Sequence, residues 1–196
     1  MHIISVNVAR VGPLFNPASP AGHQVASAIH KQPVAGPVEV GRLGLQGDAQ
    51  ADRRLHGGPG KAVYAYPLEH YAFWQTRRRL AGKGDAPLTH GALGENLTIE
   101  GMLEDACWIG DRLAVGTALL EVSEVRTPCF KLNVKMGLSH AARLMDQSGH
   151  TGFYLRVLQP GVIAAGDTAT VLPGPRTLSI AQINAGRRTA RQPDLF

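Results

Sequence analysis

Glycine and proline punctuate this chain throughout its length. Twenty-three glycines and thirteen prolines are spread over 196 residues, a distribution that reads as many turns between short segments and not as one flexible tract. Strand patterns fall at residues 2–10, 26–31, 37–41, 61–66, 96–100, 112–115, 117–125, 151–158 and 168–172. Gly110-Asp111 and Gly166-Asp167 each stand just before a strand pattern, as tight turns do. Two segments read as helices. One starts at Pro67, which suits a first helical position, and ends at Gly82 and Gly84. The other covers about 139–147, with Ser139 as N-cap and Gly149 as its stop. Many short strands with two helices predict a mainly β fold: a closed or partly closed β-barrel with a few peripheral helices. Residues 1–172 form the barrel domain in this reading. Residues 173–196 are a basic extension with little helical pattern, partly disordered or packed on the barrel.

Composition bounds the setting. Hydrophobic residues are 44% and charged residues 18%, so the chain folds instead of remaining disordered. No apolar run approaches the roughly 18 residues a membrane helix needs, and the N-terminus alternates like a strand without a basic leader. Two cysteines make no disulfide framework, and a reducing cytoplasm is the expected setting. The net charge is +5, of which Arg176, Arg187, Arg188 and Arg191 against Asp194 supply +3. Such a balance admits an anionic partner. The basic residues lack interleaved aromatics, which argues against nucleic acid and for a phosphate-bearing ligand.

Four stretches could carry chemistry. In Arg126-Thr127-Pro128-Cys129-Phe130-Lys131-Leu132, Pro128 cannot donate to a ladder, so the preceding strand ends there and Cys129 stands at its exit. Arg126 and Lys131 flank it, and nearby cations favour a thiolate, which attacks or binds metal. A free cysteine is also often just a small buried hydrophobe. Cys107, between Ala106 and Trp108, reads as core. In His56-Gly57-Gly58-Pro59-Gly60-Lys61, adjacent glycines could aim N–H groups at an anion, with His56 and Lys61 as added donors. A plain turn fits as well. In Gly94-Glu95-Asn96-Leu97, Asn96 could read a heterocycle edge or fix a loop. Arg156 lies in the apolar strand Phe153-Tyr154-Leu155-Arg156-Val157; facing inward it would need an anion, facing outward only water. Cys-x-x-Cys, His-Glu-x-x-His, Gly-x-Ser-x-Gly and Walker patterns are absent, which removes support for a zinc site, a serine hydrolase or a P-loop.

Taken in order, these pieces resemble the MOSC domain, and in particular its YiiM-like bacterial branch. The matching residues are Gly44-Leu45-Gln46-Gly47-Asp48, His56-Gly57-Gly58-Pro59, Tyr66-Pro67, Gly94-Glu95-Asn96-Leu97, Gly110-Asp111, Arg126-Thr127-Pro128-Cys129-Phe130-Lys131-Leu132, Gly152-Phe153-Tyr154, and Pro160-Gly161 with Gly166-Asp167. The resemblance covers roughly residues 1–172. It implies a β-barrel that handles the molybdenum cofactor, a molybdopterin, with Cys129 as metal ligand or sulfur carrier. His56, Gly57, Gly58, Lys61, Asn96, Arg126, Lys131 and Arg156 are then candidates to line the cofactor pocket. It further implies reduction of small N-hydroxylated compounds with electrons from a separate donor protein, or alternatively a carrier that holds cofactor or persulfide at Cys129 without turnover. Longer YiiM-like proteins carry a C-terminal bundle of three helices, for which the residues after 172 leave little room.

Overall fold

The computed structural model describes residues 1–16, 24–53 and 57–191. In chain order the strands are β1 (His2–Val8), β2 (Gly12–Phe15), β3 (Gln24–Ser27), β4 (Gln32–Pro33), β5 (Val38–Gly41), β6 (Gly44–Leu45) and β7 (Val63–Pro67). Helix α1 (Tyr71–Leu80) follows, then β8 (Leu97–Glu100), β9 (Arg112–Val115) and β10 (Ala118–Val125). Next come α2 (Phe130–Met136), α3 (Ala141–Ser148), β11 (Phe153–Gln159), β12 (Gly161–Ile163), β13 (Thr170–Leu172) and α4 (Ile180–Arg191).

Eight strands form one sheet in the order β13-β9-β10-β11-β7-β8-β1-β4, curled into a half-barrel. Its pairs are antiparallel except β7 with β8. Two smaller sheets, β12-β5-β6 and β2-β3, complete the mainly β architecture. The turn before β13 folds back onto β1. Ile3 N–H donates to the Asp167 carbonyl at 2.9 Å, Gly166 N–H to the Ile3 carbonyl at 2.7 Å, and Ala169 N–H to the Met1 carbonyl at 2.9 Å. These bonds bring one end of the sheet against the other and partly close the barrel.

Alternation along the strands builds the core. Ile3, Leu97, Leu113, Leu120, Val122, Phe153 and Leu155 meet inside the barrel, joined by Cys107 and by Ile180 of α4. Strand β7 is buried at every position, so both its faces are covered. Val63 and Ala65 face the barrel core, whereas Tyr64 and Tyr66 join Trp74, Leu93, Leu132 and Met145 in a second cluster under α1, α2 and α3.

The helices depart from expectation in informative places. Pro67 ends β7, and one 3-10 turn, Leu68–His70, leads into α1. For α3, Ser139 is not the cap. Its N-cap residue is His140, whose side chain makes no capping bond; the Asn133 side chain of α2 instead accepts from the Ala142 N–H at 2.8 Å. Gly149 does stop α3, in the left-handed conformation. Helix α2 was not anticipated, because seven residues give too little periodicity to read.

The larger correction concerns the C-terminal extension, where 180–191 is a helix. Ser179 and Gln182 cap it reciprocally: Ser179 N–H donates to Gln182 Oε1 at 2.8 Å, and Gln182 N–H donates to Ser179 Oγ at 3.1 Å. Ile180 and Asn184 are buried against the barrel, and Ile183, Arg187 and Arg188 lie beside them on the same face. Among the described residues, no helix is long and apolar enough to cross a membrane.

Candidate functional site

Strand β10 ends at Val125, and the chain turns through Arg126-Thr127-Pro128 into α2. Cys129 occupies the N-cap position of α2 in extended conformation and is half-buried. Its surroundings open onto two adjoining cavities. One, of about 100 Å³, is polar and lined by Lys31, Asp48, Asn96, Arg126 and Lys131 among others. The second, of about 710 Å³, lies on the α4 side and is lined by Ile109, Val125, Ile183 and Arg187 among others. Lys61, Thr127, Cys129 and Tyr154 border both.

Arg126 is the most unusual group here. It is 8% exposed, yet no carboxylate pairs with it among the described residues. Its Nη1 donates to the Tyr64 hydroxyl at 2.6 Å and to the Leu93 carbonyl at 2.8 Å. The Tyr64 hydroxyl in turn donates to the Thr151 carbonyl at 2.6 Å. Burial pushes the Tyr64 phenol far above its ordinary range, so it remains a neutral donor; the nearby Arg126 offsets this only in part. A buried cation held by neutral acceptors calls for an anion nearby. Lys131 likewise lacks a carboxylate among the described residues; its Nζ reaches only the Ala26 carbonyl, at 3.3 Å.

The opposite wall is a fully satisfied polar frame. Asp48 accepts from Lys31 Nζ at 2.5 and 2.7 Å, from Asn96 Nδ2 at 2.8 Å and from the Ala9 N–H at 2.8 Å. Asn96 Oδ1 accepts from the Tyr64 N–H at 3.1 Å, so Asn96 splices β7 to this frame. Burial lowers the Lys31 pKa, and the Asp48 carboxylate counters that effect. Glu95, wholly buried, accepts from the Gly91 and Leu93 N–H groups, the Thr98 hydroxyl and the Tyr71 hydroxyl. It fixes the loop that offers the Leu93 carbonyl to Arg126.

The structure thus brings Cys129, Arg126, Lys131, Asn96 and Lys61 together. Lys61 pairs with Glu124 at 3.5 Å, and its Nζ lies 5.9 Å from the Tyr154 ring centroid. Gly57 and Gly58 stand apart from both linings and serve Gln50. Gly58 N–H donates to Gln50 Oε1 at 2.9 Å, and a Cβ on Gly57 would sit 2.4 Å from that oxygen. Arg156 also lies outside the group. It projects from the outer face of the sheet onto Glu121, its cross-strand neighbour, which Arg112 also contacts at 3.1 Å. His56 lies outside the described residues. Sequence reasoning missed Lys31, Asp48, Tyr64 and Tyr154. Asp48 stood in the matched Gly-Asp pair, and Tyr64 alternated with Tyr66 in a wholly apolar strand; Lys31 carried no local signal.

A half-barrel with a lone half-exposed thiol at the end of a strand, between an unbalanced arginine and an unbalanced lysine, defines a class, and the comparisons agree. The MOSC domain profile matches residues 52–170, and the chain belongs to the MOSC family. It is 40% identical over 139 residues to the protein YiiM of Escherichia coli strain K12, covering 71% of this chain and 61% of that one. It is 39% identical over 156 residues to a protein named reductase from Gibberella moniliformis, covering 79% of this chain but 27% of the much longer relative. The crystal structure of YiiM from Geobacillus stearothermophilus superposes with a TM-score of 0.77 at 37% identity, covering 98% of this chain and 86% of that one.

Proposed function

We propose that the chain binds the molybdenum cofactor at Cys129 and acts as the reducing centre for small N-hydroxylated compounds. The single observation that carries this reading is the buried Arg126, unbalanced by any described carboxylate, beside a half-exposed thiol. The donor set suits the group. A thiolate is a soft ligand fit for molybdenum, and Arg126 with Lys131 offers charge-assisted bonds to phosphate or oxyanion groups. The polar cavity has room for an anionic head, so a bulkier ligand continues beyond its mouth. Membership of the MOSC family and a relative named reductase support the assignment.

The bound cofactor would supply the two-electron chemistry. Reduction of the substrate breaks its N–O bond, takes up two electrons and two protons, and releases water. The electrons come from a separate donor protein. The chain's own residues hold and orient. Cys129 offers the ligand atom, Arg126 fixes anionic charge, and the Asp48–Asn96 frame keeps the Tyr64 strand in register under Arg126.

Metal analysis after expression in a host that makes the cofactor tests the reading. Molybdenum in the wild type and its loss in Cys129→Ala are expected. No molybdenum in the wild type, or equal amounts in both, would overturn it. A Cys129 heavier by the mass of one sulfur atom, about 32 Da, without reductase activity would favour the carrier alternative.

A further inference from the structure

Helix α4 walls the larger cavity, and that wall has a distinct chemistry. Ile183 lines the cavity with Ile109 and Val125, which give it an apolar part, beside the polar Ser123 and Glu124. Arg187, one turn further along α4, stands at the same cavity and donates through Nη2 to the Thr127 hydroxyl. No carboxylate pairs with Arg187 among the described residues, whereas Lys61, the other cation bordering the cavity, has Glu124.

The helix is held in place by more than its apolar stripe. Asn184 Nδ2 donates to Thr151 Oγ1 at 2.9 Å, and Ile180 N–H donates to the Cys107 carbonyl at 2.8 Å. Thr151 also accepts the Tyr64 hydroxyl that supports Arg126. Arg187 is therefore set relative to Arg126, and so to Cys129, by a short chain of bonds through Asn184, Thr151 and Tyr64.

We propose that the α4 cavity is the substrate subsite, and that it takes a small molecule with a flat apolar body and a carboxylate, the carboxylate being read by Arg187. The inference rests on the reading of Cys129 as the reacting centre and adds the class of substrate. Its volume, about 710 Å³, falls in the range of roughly 300–1,000 Å³ of small-molecule sites. A planar guanidinium matches a carboxylate in bidentate fashion, better than a lysine would. Arg187 donates to Thr127, two residues before Cys129, and all three line the cavity, so a molecule anchored at Arg187 shares one space with the thiol. Division of labour follows: the polar cavity receives the cofactor's anionic head, and the α4 cavity stays open for substrate.

Benzoate and benzamide, alike in shape but not in charge, are the probes. Each is titrated into the full chain, followed by amide NMR shifts at Ile109, Thr127 and Ile183. Benzoate is expected to bind at least tenfold tighter than benzamide. Arg187→Ala should remove that preference while leaving benzamide binding unchanged, and Arg187→Lys should retain part of it. Ile183→Trp, which fills the cavity without touching the charge, should weaken both probes. Equal binding of the two probes, or a preference that survives Arg187→Ala, would overturn the proposal. So would loss of benzoate binding once molybdenum is loaded, because the cavity would then belong to the cofactor. A chain that takes benzoate through Arg187 yet binds no molybdenum keeps the subsite and loses the cofactor reading; molybdenum bound at Cys129 without benzoate selectivity gives the reverse.

Discussion

Arg126 lies against the face of Tyr64, its guanidinium carbon 4.5 Å from the ring centroid, while its Nη1 donates to the Tyr64 hydroxyl of the same ring network. Cation, ring and hydroxyl together take the place of a counterion. That arrangement leaves the positive charge available to a ligand, and the protein alone gains little from it. Arg126→Met is expected to change the stability of the ligand-free protein by no more than about 1 kcal/mol, because an unbalanced buried charge costs about as much as its bonds return. The same change should abolish stabilisation by phosphate or molybdate. In the wild type an anion at a hundred times its Kd adds about 2.7 kcal/mol. Thermal melts with and without each anion check both statements.

The two cysteines should separate cleanly under alkylation. Cys129 is half-buried at the two cavities, whereas Cys107 is wholly buried in the barrel core. Burial, with Asp111 and Glu104 nearby, pushes the Cys107 thiol far up, so thiolate is scarce there. Iodoacetamide on the native protein is expected to label Cys129 alone, with Cys107 labelled only on unfolding, as peptide mass spectrometry would show.

Asp48→Asn should cost about 3–5 kcal/mol, since it leaves Lys31 buried without its partner. The double variant Lys31→Met with Asp48→Leu should recover part of that loss. Asn96 still loses its bond to Asp48, so recovery stays incomplete. Urea titration of the three proteins measures the difference.

Stability should fall with acid in two stages, both traceable to one cluster. His150 stacks on His70 at 3.9 Å, and His70 bonds Glu104 at 2.8 Å. Burial, then the charge of His70, holds the His150 pKa below its ordinary 6.5. The unfolded chain therefore takes up a proton near that pH before the native protein does, and stability drops as pH falls below about 6.5, by at most about 1.4 kcal/mol per pH unit. For Glu104, burial alone would raise the pKa, but the His70 bond and charge and the Gly152 N–H pull it below its ordinary 4.5. Its contribution is present above pH 4.5 and disappears as pH falls through the lowered value. Denaturant titrations across this range should lose the upper stage in His150→Phe and the lower one in Glu104→Gln.

Gly152→Ala should be among the most damaging small substitutions, at about 3 kcal/mol. Gly152 has φ of +63°, and a Cβ there would lie 2.3 Å from the Ala65 carbonyl oxygen. Relief of that clash pushes β11 off β7 and disturbs Tyr64 beneath Arg126. Melting temperature and anion-induced stabilisation should fall together.

How far the residues announce this site depends on the range of the physics. Pro128 ends β10 by a local rule, so the position of Cys129 at a strand exit was readable, as were its cationic neighbours. Alternation placed Arg156 on the face of Tyr154 but gave no means of choosing inside from outside; the register against Glu121 decides it. Lys31 and Asp48 meet only through the fold, across 17 residues; Asp48 stood in a matched Gly-Asp pair, but nothing local marks Lys31. Helix α4 left one local mark, the capping-box pattern Ser179-Ile180-Ala181-Gln182. Its short apolar stripe, interrupted by polar Asn184 and followed by arginines, concealed it.

The bonds between β1 and residues 166–169 carry a consequence for biosynthesis. His2 and Thr168 are 166 positions apart, so the first strand emerges from the ribosome long before its closing partner exists. Until then β1 offers unpaired backbone groups along one side, the kind of edge on which other chains assemble. Yield of native protein should therefore depend on how that early edge is shielded during translation, because the short strand β4 pairs with β1 only at Asn7 and Val8 and leaves the Met1–Ile3 end to residues 166–169.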